Sequence, residues 1–260
     1  IDAACFFDYA LSQSQVTTLY GSSSTGIGNP MSLSPKPVAF YPLGDQDVYN
    51  GASYLVPNAA VVGGYSPYAL DFDVATQNKI NFNYRLPTGD APKSISVWVK
   101  AKTFSYTSIV SGGTAATGQY FGLWWVNASN GFKLVTYGGD ASFGFTPLVD
   151  TWYHLVVSYA GSGNVNLYYN GILGNSTNIG VRNTGNANFN IGQGGGASSF
   201  NGAVSNLSAW DTALTSTQVT EVYNSGVPSN LNNHSAYSNL VSWWQLGSNS
   251  SFNNTVWTVL

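Results

Sequence analysis

Thr151-Trp152-Tyr153-His154-Leu155-Val156-Val157-Ser158-Tyr159 is followed, across a short Gly/Ser stretch, by Val165-Asn166-Leu167-Tyr168-Tyr169-Asn170-Gly171-Ile172-Leu173. In the first run Tyr153, Leu155, Val157 and Tyr159 fall on one side, the period-two signature of a strand with one face in a core. The second run ends in Asn170-Gly171, which supplies the positive φ that a tight hairpin turn needs. Two strands and a hairpin are therefore legible in one window.

The same grammar extends outward. Ser94 to Lys100 alternates, placing Ile95, Val97 and Val99 together. Tyr120 to Val126 and Phe132 to Tyr137 are β-rich runs joined by Ser129-Asn130-Gly131, and Ala187–Gly192 and Ala203–Trp210 close the series. Short strands separated by Gly and Asn turns predict an all-β, antiparallel two-sheet sandwich. One short helix follows: Thr215 or Ser216 can cap it, Val219, Val222 and Tyr223 give its apolar face, and Gly226-Val227-Pro228 stops it.

That helix has a twin. Phe7-Asp8-Tyr9-Ala10-Leu11-Ser12-Gln13-Ser14-Gln15-Val16 matches Trp210-Asp211-Thr212-Ala213-Leu214-Thr215-Ser216-Thr217-Gln218-Val219, 203 residues later. The offset continues without a gap, setting Val38 to Gly44 on Val241 to Gly247. A period this long is a whole domain. The division it predicts is the tail of a preceding unit plus a linker at 1–37, a complete unit at 38–225, and a linker plus the first strand of a following unit at 226–260. Gly21–Pro37 and Gly226–Ser238 read as the linkers. Each end is then expected to leave apolar strand edges that pair with a neighbouring chain or with the rest of the same polypeptide.

Composition excludes several functions. Charged residues are only 7% and aromatics 15% of the 260 residues. The eight Lys and Arg are scattered, so no basic stripe exists for nucleic acid. Apolar runs are strand-sized, too short to insert in a membrane as helices. Cys5 is the single cysteine, which excludes an intrachain disulfide and reads as a small buried apolar residue.

The ordered set Tyr41-Pro42-Leu43-Gly44, Ala69-Leu70-Asp71-Phe72-Asp73, Ser96-Val97-Trp98-Val99, Thr151-Trp152-Tyr153-His154-Leu155, Val165 to Gly171, Asn190-Ile191-Gly192, Phe200-Asn201-Gly202, Trp210 and Ala213-Leu214 resembles the laminin G-like, concanavalin A-like jelly roll. The phrases KPVAFYPLGDQ, YLVPN, YALDFD and NLVSWWQLG are also similar to tandem jelly-roll units in structural proteins of marine tailed phages. The resemblance implies a jelly-roll sandwich with binding loops at its rim, and a fold that hosts lectins, adhesion modules and glycosidases alike. Beside it, Trp98 and Trp152 read as anchors of the two-sheet core.

Candidate chemistry is sparse. Glycosidases of this fold use closely spaced glutamates, and this chain has one, Glu221, on the repeated helix. Asp71 and Asp73 share a face but suit backbone hydrogen bonding at a strand end. His154 lies inside a strand motif and reads as structural; His234 lies in a linker and reads as solvated. The sequence thus predicts no enzyme and no cofactor. The resemblance implies one metal, a structural calcium between Asp45 and Asp47 and the positions of Ser205 and Asn206, where neutral oxygens replace the family's acids; Asp2 stands at the place of Ser205 in the N-terminal copy. For carbohydrate the candidates are Tyr106, Trp124, Trp125, Tyr137 and Asp140, with the loop Gly194 to Ser198; alternation turns one of Trp124 and Trp125 away from the core. The expected setting is a non-enzymatic structural or adhesion module, extracellular or on a virion surface, whose partners are neighbouring units, copies of itself or a cell-surface glycan. A lectin is the alternative and a glycoside hydrolase the remote one.

Overall fold

The computed structural model describes residues 3–21, 30–42, 48–49, 54–55, 69–72, 79–103, 105–127, 131–193, 199–246, 251–252 and 257–258. An N-terminal group comprises β1 (Ala3–Phe6), helix α1 (Gln13–Tyr20) and β2 (Ala39–Pro42); the small pair β3 (Val48–Tyr49) and β4 (Tyr54–Leu55) follows. The sandwich takes β5 (Leu70–Phe72), β6 (Ile80–Asn81), β7 (Lys93–Ala101), β8 (Thr107–Gly113), β9 (Tyr120–Asn127), β10 (Gly131–Val135) and β11 (Ala141–Ser142). It continues with β12 (Trp152–Gly161), β13 (Asn164–Tyr169), β14 (Ile172–Asn178), β15 (Asn190–Ile191) and β16 (Gly202–Trp210), then helix α2 (Ser216–Tyr223) and β17 (Leu240–Trp244). A last pair, β18 (Ser251–Phe252) and β19 (Trp257–Thr258), ends the described chain.

Two antiparallel sheets face each other. One has the order β11-β10-β9-β8-β15-β6; the other runs β14-β13-β12-β7-β16-β17, with β5 also on β16. The inward residues are those alternation selected: Ile95, Val97, Val99, Leu155, Val157 and Tyr159 from one sheet meet Phe121, Leu123, Trp125, Phe132 and Leu134 from the other, all fully or almost fully buried. This is the expected jelly-roll sandwich. Gly202 fits its strand because a Cβ there would lie 2.2 Å from the carbonyl oxygen of Lys100.

Trp98 and Trp152 are buried on the other face of their strands, in a separate cluster with Ala203. The parity of the strand decides this: with Val97 and Val99 inward, Trp98 must point outward. There it stacks on Tyr223 at 5.9 Å. A second apolar layer lies alongside, where Val219 and Val222 of α2 cover Val156, Tyr168 and Trp210. Ser94 pins the segment before α2: its hydroxyl donates to the carbonyl of Thr212 (2.8 Å) and accepts from the Leu214 amide (3.0 Å). Ser158 donates to the Leu214 carbonyl at 2.8 Å.

The outer edge of β16 is shared. β5 pairs with Gly202, Ala203 and Val204, and β17 pairs with Leu207 through Trp210. β17 belongs to both apolar layers. Trp244 packs on Phe82 at 4.2 Å and on Phe189 at 5.9 Å, Leu246 lies in the main core, and Trp243 packs against the layer beneath α2. Residues 226–238, expected as linker, lie in a run of short 3₁₀ turns that buries Leu231, His234 and Ala236. The C-terminal strand edge is therefore paired, contrary to the expectation for that end. The N-terminal end differs: among the described residues β1 pairs only with β2, and α1 buries no residue.

Candidate functional site

Alternation along β9 places the candidate aromatic surface. Phe121, Leu123 and Trp125 face the core, so Tyr120, Gly122, Trp124 and Val126 face out. Tyr120, Trp124 and Val135 form a cluster that Val126 and Tyr137 flank. Tyr106 lies edge-on to Trp124 at 4.7 Å, and Tyr137 stacks on Tyr120 at 4.8 Å. The Trp124 indole donates to the Tyr120 hydroxyl at 3.0 Å, and Gly122 lies between them, where a Cβ would sit 2.7 Å from the Tyr120 ring.

The cluster grades from buried to wet. Trp124 is 1% exposed, Tyr137 is half-buried and Tyr106 is 54% exposed. Asp140 is exposed and accepts the Thr136 amide at 2.7 Å, holding the turn that places Tyr137 in the left-handed region at φ 54°. Burial raises the Tyr120 and Tyr137 phenols above their ordinary value, and the Asp140 carboxylate adds to the rise at Tyr137. These hydroxyls stay protonated as donors, next to a carboxylate acceptor and a partly open aromatic wall.

The structure thus brings Tyr106, Trp124, Tyr137 and Asp140 together and leaves Trp125 out, on the core side against Phe132 at 4.5 Å. It adds Tyr120, which the sequence reading missed; its spacing of four from Trp124 on an alternating strand was the available signal. The rim loop Gly194 to Ser198 lies outside the described residues.

Several other titratable groups among the described residues are held in structural contacts. Burial pushes His154 down to about 3, so it is neutral. Its Nε2 lies 2.8 Å from the Ser96 hydroxyl, and the ring packs beside both Trp98, at 5.1 Å, and Tyr223, at 5.7 Å. His234, expected in solvent, is buried against Trp210 at 4.7 Å. Its Nδ1 accepts from the Ala236 amide at 3.0 Å, so Nε2 carries the proton and donates to the Gln218 carbonyl at 3.0 Å. Desolvation acts to raise Glu221, but hydrogen bonds from the Ser235 amide (3.0 Å) and hydroxyl (2.5 Å) outweigh it and hold the carboxyl below its ordinary value. A carboxylate held ionised is a poor general acid. Asp71 pairs with Lys102 at 2.7 Å in solvent, and Asp73 lies outside the described residues.

Lys93 is fully buried, donating to the Gly89 carbonyl (3.2 Å) and the Thr184 hydroxyl (3.0 Å), 5.3 Å over the Tyr159 ring. Desolvation lowers it to about 8, partly offset by Asp90. Asp90 takes the Tyr159 hydroxyl and the Ser162 amide, which fastens the loops at that end of the sandwich.

For calcium, the described half of the implied site is neutral. The Ser205 hydroxyl faces the Gln245 carbonyl at 3.4 Å and accepts the Asn206 amide nitrogen at 2.9 Å; Asn206 Oδ1 is a buried acceptor with no hydrogen-bond partner. One such oxygen falls far short of the six to eight that calcium takes. Asp45 and Asp47 lie outside the described residues, and no cluster of three or more His, Cys, Asp or Glu occurs among the described ones. Cys5 is half-buried in β1, and burial raises its thiol. No helix is long and apolar enough to cross a membrane among the described residues.

Among solved structures the fold is similar to a protein of Bacteroides ovatus provisionally assigned as carbohydrate binding, at 16% identity, TM-score 0.54, over 75% of this chain and 56% of that one. The chain thus spans little more than half the length of that protein. Domain 4 of AbnA, a GH43 extracellular arabinanase of Geobacillus stearothermophilus solved with arabinotriose, matches at 22% identity and TM-score 0.46, over 60% of this chain and 75% of that one. A SAP-like pentraxin of Limulus polyphemus matches at 19% identity and TM-score 0.46, over 76% of this chain and 88% of that one. No curated protein matches the sequence. The family model for the concanavalin A-like lectin/glucanases superfamily matches residues 74–220, more than half of the chain and the body of the sandwich described above. The chain belongs to the concanavalin A-like lectin/glucanase superfamily.

Proposed function

We propose that this chain is a non-enzymatic structural or adhesion module of a large tandem-repeat protein, such as a fibre, appendage or surface filament. One observation carries the reading: a strand, a capped helix and a second strand recur at an offset of 203 residues in sequence and with the same strand register in space. The inventory of acids agrees with it, since the single glutamate is tied to Ser235 and both histidines serve packing. Imaging of the natural gene product tests the proposal. Elongated particles built of similar globules are expected; a lone globule from a gene of about this length would overturn it. A panel of glycosides incubated with the chain is expected to give no turnover.

A second reading, carbohydrate recognition, is favoured by the cluster of Tyr106, Trp124 and Tyr137 beside Asp140. A sugar ring stacks on an aromatic face while its hydroxyls take a carboxylate and a phenol, and Tyr106 is 54% exposed at the place where such a ring would lie. The two readings are compatible, because an adhesion module needs something to adhere to. Glycan-array signal that disappears in Tyr106→Ala supports recognition here. An array without signal, with and without calcium, refutes it.

A further inference from the structure

We infer that β1, α1 and β2 are the closing parts of an upstream jelly roll of this same kind, and that successive units share strands. What the repeat counts as the first strand of each unit closes the sheet of the unit before it. The inference rests on the repeat reading above and adds the surface, the register and the partner.

The two ladders agree residue by residue. Ala4 pairs with Tyr41, Cys5 with Phe40 and Phe6 with Ala39. Shifted by the sequence offset, these become Leu207 with Trp244, Ser208 with Trp243 and Ala209 with Ser242, which are the pairs formed between β16 and β17. A slip of one residue would turn every side chain to the wrong face, so matching register is a strong coincidence to explain otherwise. Both helices carry the same capping box, Ser12 with Gln15 and Thr215 with Gln218.

Burial separates the copies. Val219 is 0% exposed and its counterpart Val16 is 45% exposed. Val222 and Leu214 are buried, while Leu19 and Leu11 are only partly so. Tyr20 is 70% exposed, while Tyr223 lies stacked on Trp98. An eight-residue helix that buries nothing is below the roughly dozen residues at which isolated helices become stable in water. What covers the second copy is visible in this chain: β7 on the inner edge of β16, and the outer faces of β12 and β13 beneath α2. The occupant of the first copy is therefore another jelly-roll body, with its β7-type strand along the side of β1 opposite β2 and its β12- and β13-type strands under α1. The autonomous fold then runs from about β5 to Leu246, out of step with the sequence repeat.

The test adds the missing body to the whole chain. Residues 69–205 of a second copy are joined directly to Ala3, because Ala3 is the counterpart of Asn206, and amide hydrogen exchange is read with α2 as internal reference. In the chain itself α1 is expected to exchange at least about a hundredfold faster than α2; in the fusion its rates should fall to within about tenfold of α2. A companion fusion joins residues 69–246 to Ala3, supplying a body already closed by its own β16 and β17. There α1 should stay fast. The inference is overturned if α1 is equally fast in both fusions while the first added body is protected. It is also overturned if α1 is slowed in the companion, or if only the companion's added body folds. None of these outcomes depends on how many units the natural gene holds, so failure here is distinct from failure of the functional proposal.

Discussion

Val219 and Val16 occupy the same place in two copies of one motif, which allows the burial term to be isolated. Val219→Ala removes two methyl groups from the layer formed with Val156, Tyr168 and Trp210. At about 0.8 kcal/mol per buried carbon plus a cavity term, the loss is about 2–2.5 kcal/mol. Alanine returns up to about 0.5 kcal/mol of helix propensity, leaving about 1.5–2 kcal/mol. For a cooperative unit of this size that lowers the melting temperature by about 3–8 °C. Val16→Ala removes the same atoms from a position that is 45% exposed on a helix with no buried residue. Its effect on the main transition should stay within about 0.5 kcal/mol. Calorimetry of both variants in the whole chain, with urea titration as a second measure, decides the matter. Equal shifts, or no shift from Val219→Ala, would refute the claim that only the second copy rests on a sheet.

Further outcomes follow from titrating and exposed groups. Burial holds His154 at about 3 in the fold against an ordinary 6.5; the unfolded chain binds the proton first, so stability is intact above about pH 6.5 and falls as pH drops towards 3. Urea midpoints at pH 7.5 and 4.5 should show this, and His154→Leu should flatten the difference; equal midpoints in the parent chain would refute it. Lys93, depressed to about 8, gives the same sign at higher pH: stability rises from pH 8 upward, until phenols such as Tyr84, pushed up to about 12 by desolvation, reverse the trend above about 10. Lys93→Met should abolish the rise between pH 8 and 9.5. Tyr106→Ala should leave the unfolding midpoint within about 0.5 kcal/mol while removing any glycan signal, whereas Trp124→Ala should cost about 3–5 kcal/mol because that ring is buried. Chelation should leave the midpoint unchanged; an upward shift with added calcium that is lost in Asp45→Asn and Asp47→Asn would place those carboxylates beside Asn206.

The sandwich was legible because alternation is a local signal. Tyr153, Leu155, Val157 and Tyr159 are all in the cluster their spacing selected. The size of Trp98 and Trp152 suggests the main core, but parity decides their place: with Val97 and Val99 inward, Trp98 faces outward. The role of β17 was hidden for another reason. Pairing partners in a sheet are set by edges and not by order along the chain, so no spacing in Leu240 to Trp244 says which unit's edge it completes. Residues 226–238 read as linker because Asn, Ser and Gly dominate them; burial there falls on only four residues, Gly226, Leu231, His234 and Ala236. At the candidate site, facing was readable for Trp124 but depth was not, since its covering ring Tyr106 comes from a different strand's approach.

The shared outer edge of β16 has a genetic consequence. In an array closed by the next copy's first strand, unequal crossing-over between matched positions such as Tyr20 and Tyr223 removes or adds one period of 203 residues. Every β16-type strand on either side of the junction still meets a β17-type strand, wherever within the repeat the crossover falls. Such a gene can lengthen or shorten without leaving a β16-type strand unpaired on its outer side inside the protein. Only the final unit needs a closing strand that no following copy provides.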